Sequence, residues 1–206
     1  MKKTMLLKKD KLSSQKQKYL FLITIMILGF TFSFIFFALI AKEDKTILQN
    51  EINLFFQNVK TNQLNTTNSL INSLSSNLLS ISLVWLLGIS IIGLPFIIFF
   101  LFFKSFILGF SIISILANYG LKGILLIIPY LFPHQIIYLI IWLLLSFYAS
   151  SFSIKLFKIL FLKKNLNLQE HFIKYLKIAS LCLVTSIICS LFEVYISPKL
   201  ISLFIF

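Results

Sequence analysis

A chain of 206 residues with 59% hydrophobic and 16% aromatic side chains and a mean hydropathy of +0.98 carries more apolar surface than one water-soluble domain can hide, where about 45–50% apolar is usual. The net charge is +13 and all 19 basic residues are lysine. They lie in short tracts beside apolar runs, which suits anionic headgroups at the inner membrane face and argues against nucleic acid. The expected fold is all-α: an integral membrane bundle of about five transmembrane helices, N-terminus cytoplasmic and C-terminus outside.

Residues 1–19 hold Lys2, Lys3, Lys8, Lys9, Lys11, Lys16 and Lys18 against Asp10 alone, a basic cytoplasmic tail. Residues 20–41 are apolar and long enough, at roughly 33 Å, to cross a hydrocarbon core of about 30 Å. They lack the short core and small-x-small site of a cleaved signal peptide, so they read as an uncleaved first span. Residues 42–78 are polar, with three lysines balancing Glu43, Asp44 and Glu51, and form the expected extracytoplasmic loop. Within it Ile52, Phe55, Phe56 and Val59, then Leu70, Leu74 and Leu78, recur at helical spacing and predict short amphipathic helices. Asn65-Thr66-Thr67 fits a glycosylation acceptor, but a three-residue match carries little weight.

The membrane core, residues 79–154, is predicted to hold spans two to four. Span two covers 78–103, bent by Gly93 and Pro95. Lys104 is expected at the inner face between it and a short third span, 105–118. Gly120 and Gly123, in the expected outer turn, are free to take positive φ. Residues 124–154 are too long for one straight span and too short for two with a turn. Pro129 and Pro133 divide them into a broken segment, 124–133, and a fourth span starting near Gln135. A second basic inner loop, 155–177, precedes the fifth span and short outer tail, 178–206. The small residues Gly88, Gly93 and Gly109 are candidates for close helix packing.

Catalytic equipment is sparse. No phosphate-binding loop, HExxH motif or nucleophile elbow is present, so neither enzymatic activity nor a cofactor is expected. His134 has no cysteine or carboxylate near it in sequence, which argues against a metal site, and an interfacial polar role is expected for it. Glu193, the one acid predicted inside a span, lies within about 8 Å of the span's end. It is expected to snorkel or to bond a neighbouring helix. A proton relay would need a second titratable group at similar depth, and the sequence offers none. Cys182 and Cys189, about 10 Å apart along one helix, are too distant for a disulfide. They read as small apolar fillers.

One stretch resembles a known family. Gly93-Leu94-Pro95, the run Phe99 to Phe103, Lys104, Gly109-Phe110, the turn Gly120-Leu121-Lys122-Gly123 and then Pro133-His134-Gln135 follow in the order found in the stage II sporulation protein M family of bacterial membrane proteins. Ser105 stands where that family usually has glycine, and a proline expected a few residues beyond Gln135 is replaced by the continuing Tyr138 and Leu139. The resemblance implies a membrane scaffold of endospore formation, located in the mother-cell septal and engulfing membrane. There it would recruit the cell-wall hydrolases called stage II sporulation proteins D and P, so that septal peptidoglycan is thinned and the forespore engulfed. Lys104, His134, Gln135 and Glu193 are then the polar candidates for partner contact. The rival reading is a transporter or permease subunit, because proline-broken helices at membrane depth can line a substrate site. No internal repeat between 78–118 and 123–154 supports it.

Overall fold

The structure is a computed structural model that describes residues 2–61, 63, 65–131, 134–163 and 167–203, with side chains from Gln15 onward. Among the described residues every regular element is helical. The helices are α1 Lys2–Leu39, α2 Lys42–Lys60, α3 Thr66–Ile89, α4 Gly93–Tyr119, α5 Gly123–Leu131, α6 His134–Leu160, α7 Leu168–Tyr195 and α8 Ser197–Ser202, with a 3-10 turn at Gly120–Lys122. Five stretches are long and apolar enough to cross a membrane: Gln15–Leu39, Thr66–Ile89, Gly93–Leu131, His134–Leu160 and Leu168–Ser202. The chain is an all-helical membrane protein with five candidate spans, as the composition implies.

The tail and first span are one helix of 38 residues, because the tail is rich in lysine, leucine and glutamine and has no glycine or proline to stop it. The predicted loop is also mostly helical. The amphipathic α2 has Glu43 and Asp44 in its first turn and Lys60 in its last, charges that oppose the helix dipole. It buries Phe56 and Val59 and exposes Lys42, Glu43, Asp44 and Glu51. The helix α3 starts at Asn65, whose side chain accepts the Asn68 N–H at 3.2 Å. That Asn-Thr-Thr sequence is therefore a helix N-cap, and Leu70, Leu74 and Leu78 belong to the span and not to a loop.

The partition of spans two and three differs from the sequence expectation. The helix α3 ends at Ile89, and Ser90 to Ile92 make a tight reversal. Gly93 and Pro95 do not bend a span; they begin the next one. Proline in a first helical turn loses nothing, since the N–H there has no intrahelical acceptor. A Cβ on Gly93 would collide with the Leu87 backbone, so the hairpin closes only on glycine. From there α4 runs unbroken through Lys104 for 27 residues. Lys104 lies about 16 Å from its start and about 22 Å from its end. It is therefore at mid-bundle depth and not at a boundary.

Of the two turn glycines only Gly120 has positive φ, at 57°. Gly123 has φ −58°, and its value is size: a Cβ there would press on the Ile115 carbonyl. Pro129 is buried within α5, and α6 begins at His134, one residue before the predicted start. Pro133 lies outside the described residues, as do residues 204–206 of the predicted tail.

The helices α1 and α4 run parallel, with Ser105 Oγ donating to the Met26 carbonyl at 2.7 Å. The helix α6 is central: 50% of its apolar stretch is buried, against 17% for α1 and for α3. Ile81, Val84, Ile97, Leu101, Trp142 and Leu145 form the middle of the core. The starts of α1 and α4 and the later part of α6 share one end of the bundle, here called the basic end. At the other end, α2, α5 and α8 make a cap around Phe56, Val59, Ile115, Leu126, Ile127 and Ile201. Asn53 ties α2 to this cap, accepting from Asn118 and from the Tyr119 hydroxyl, both at 2.8 Å.

Candidate functional site

The helices α3 and α7 are antiparallel, and their facing polar side chains converge just beneath the cap. Ser73 Oγ donates to Glu193 Oε2 at 2.7 Å. Asn77 Nδ2 donates to Ser73 Oγ at 3.2 Å and to Ser190 Oγ at 2.9 Å. One turn deeper, Tyr138 of α6 and Ser186 of α7 share a hydrogen bond of 2.9 Å. In lipid, water does not compete for these groups, so each is satisfied by another helix. Glu193 accordingly bonds a neighbouring helix, one of the two roles expected for it.

The second titratable group that the sequence did not offer is supplied by the fold. His134, 2% exposed, lines the same cavity of about 140 Å³ as Glu193, with Ser69, Ser73 and Tyr130. Both His134 ring nitrogens lack a hydrogen-bond partner among the described residues. Its ring meets Tyr130 edge-on at 6.4 Å and Phe192 at 6.0 Å. Glu193 forms no ion pair among the described residues. Gln135 is half-buried and does not line the cavity.

Lys104 occupies a different place, with Nζ 5.1 Å from the Trp142 ring centroid, a cation–π arrangement. The two cysteines are free and buried, in keeping with a filler role. Among the described residues no three of His, Cys, Asp and Glu gather to hold a metal ion.

The glycines divide by task. Gly88 makes room for Tyr175 and Ala149, and the Tyr175 hydroxyl donates to the Trp85 carbonyl at 2.9 Å. Gly109 lies against Phe30 and Ser33 of α1, and Gly29 against the Phe102 backbone of α4. Sequence reasoning missed Gly29, Ser73, Asn77, Ser190 and Tyr175. The signal was present as small or polar residues four apart within apolar helices: Gly29 and Ser33, Ser105 and Gly109, Ser73 and Asn77, Ser186 and Ser190. The glycine-to-serine departure at position 105 proves to be an interhelical hydrogen bond.

The chain matches the family described as Stage II sporulation protein M over residues 21–198, from the first span to the start of α8. The chain belongs to the stage II sporulation protein M family. No curated protein and no solved structure gives a significant match. Membership covers the hairpin at Gly93-Leu94-Pro95, Lys104 and the capped-end cavity alike, and it makes the chain a membrane protein of a sporulation family.

Proposed function

We propose that the protein is a non-catalytic membrane scaffold that holds cell-wall hydrolases at the septum while peptidoglycan is thinned and the forespore engulfed. The family match over residues 21–198 is the observation that carries this reading. The partners proposed, on family resemblance, are the stage II sporulation proteins D and P. The orientation is part of the proposal. The tail lysines, Lys155 and Lys158 near the end of α6, and Lys163 just beyond it belong to the basic end. The capped end carries Lys42, Lys45, Lys60, Lys122 and Lys199. Moving Lys104 from the inner face to mid-depth leaves this asymmetry standing, and it favours a cytoplasmic basic end. The cap of α2, α5 and α8 would then face the wall and offer the docking platform.

Affinity purification of the tagged chain from sporulating cells tests the proposal. Recovery of both hydrolases, lost when the exposed charges of α2 are reversed (Glu43→Lys with Asp44→Lys), is the expected result. Clean recovery of the chain with neither hydrolase would defeat the reading. The transporter alternative is favoured by one observation, the Lys104–Trp142 contact at membrane depth. Substrate-dependent flux in liposomes holding only this chain would establish that alternative instead.

A further inference from the structure

The His134–Glu193 cavity beneath the cap has the features of a binding site and not of packing alone. A histidine that is 2% exposed would ordinarily have its ring nitrogens paired, because a buried polar group without a partner loses its hydration and gains nothing in return. Here neither nitrogen has a partner among the described residues, although the ring lines a cavity of about 140 Å³. A neutral imidazole offers one acceptor nitrogen. Glu193 adds a carboxylate, whose Oε2 is held by Ser73, and Ser69 adds a hydroxyl to the lining. Phe55, Val194 and Ile201 add apolar surface.

This pattern selects a ligand class. A carboxylate with no ion pair among the described residues repels anions and attracts a cation. Two ligating side chains, one histidine and one glutamate, fall short of the three or four that a protein metal site uses. An alkylammonium head, in contrast, carries three N–H donors, and the carboxylate, the imidazole nitrogen and a hydroxyl are three acceptors. Its alkyl stem would lie on the apolar wall, as lysine stems do on apolar surfaces. Size agrees: a propylammonium ion has four heavy atoms, which at roughly 30 Å³ each, the volume share of a liquid water, come to about 120 Å³. We infer that the His134–Glu193 cavity is a binding site for a primary ammonium group that enters from the capped end of the bundle. This inference is independent of the hydrolase reading, and its failure would leave that reading untouched.

The chain has two histidines, His134 and His171, so imidazole nitrogen NMR reads the site directly. The protein, labelled with ¹⁵N-histidine and placed in lipid nanodiscs, is titrated at constant ionic strength with n-propylammonium chloride and, separately, with tetramethylammonium chloride, which has no N–H donor. Signals are assigned with His171→Gln. Propylammonium is expected to shift the His134 signals saturably while those of His171 stay in place, and tetramethylammonium is expected to do neither. Glu193→Gln is expected to weaken the apparent affinity at least tenfold. Linear drift without saturation, equal shifts from the two cations, or an undiminished response in Glu193→Gln would overturn the assignment. The comparison of the two cations uses the unmodified protein, so it stands even if the variant fails to fold. Nα-acetyl-lysine amide, whose side-chain ammonium is free, then separates sources: a matching saturable shift identifies a lysine side chain as a sufficient ligand, and its absence beside a propylammonium response restricts the site to small free amines.

Discussion

The seam between α1 and α4 and the contact between α3 and α7 both join helices far apart in sequence, and they do so by different means. The α1–α4 seam is nearly all apolar. Gly29 lets α1 touch the Phe102 backbone, Gly109 lets α4 touch Phe30 and Ser33, and among the described residues one hydrogen bond, from Ser105 to Met26, crosses it. Along its flank Phe32, Phe36 and Phe37 interleave with Phe102, Phe106 and Phe110. The α3–α7 contact is held by Ser73, Asn77, Ser190 and Glu193. Since lipid tails are as apolar as leucine, neither pair gains from burying hydrocarbon alone. One gains from close van der Waals approach, the other from hydrogen bonds that have no competitor in lipid. Where Gly29 and Gly109 bring α1 and α4 together their backbones leave no gap, whereas the His134–Glu193 cavity adjoins the polar contact of α3 with α7.

The contrast is broken most severely at Gly29. Gly29→Leu drives a side chain into rigid backbone, and a loss of about 3 kcal/mol is expected, the upper part of the overpacking range. Thermal unfolding in detergent should show it, and unchanged stability would mean that α1 and α4 are not in contact as described.

Asn77→Leu tests the polar contact. It removes two hydrogen bonds and deprives Ser190 of its donor, and a loss of about 1–2 kcal/mol is expected. The same variant placed against Ser190→Ala in a double-mutant cycle should show less than additive loss. Strict additivity would separate the two side chains.

Lys104→Met gives the smallest expected change, within about 1 kcal/mol of the parent. A cation–π contact is lost, but so is the cost of holding an ammonium at membrane depth. Its companion, Lys104→Cys, should resist membrane-impermeant thiol reagents from both sides. Labelling from either side would return residue 104 to a boundary.

Helix existence was legible along most of the chain, and so was the total of five spans. Length and hydropathy decide those locally, since every backbone group in lipid must be paired within its own helix. The outer turn was legible because Gly120 supplies the one positive-φ glycine. The starts of α3 and α7 were not: spans were expected from 78 and 178, whereas the side chains of Asn65 and Asn167 cap helices that begin at Thr66 and Leu168. The hairpin was misplaced because Gly93-Leu94-Pro95 fits both a kink inside a helix and the first turn of a new one, and Lys104 fits both a boundary and an interior charge. Local sequence does not distinguish these cases.

The amino-acid sequence by itself determined that this is a helical membrane chain, lysine-rich beside its spans, and of the family now matched over residues 21–198. Only the tertiary structure decided that Ser90 to Ile92 form the turn, that Lys104 lies over Trp142, and that His134 and Glu193, on different helices, share one cavity. The reason is physical. Hydropathy and capping act within a few residues, whereas side-chain convergence depends on how helices are rotated against one another. That rotation is set by where glycines permit close approach and where serine, asparagine and glutamate find each other across the bundle.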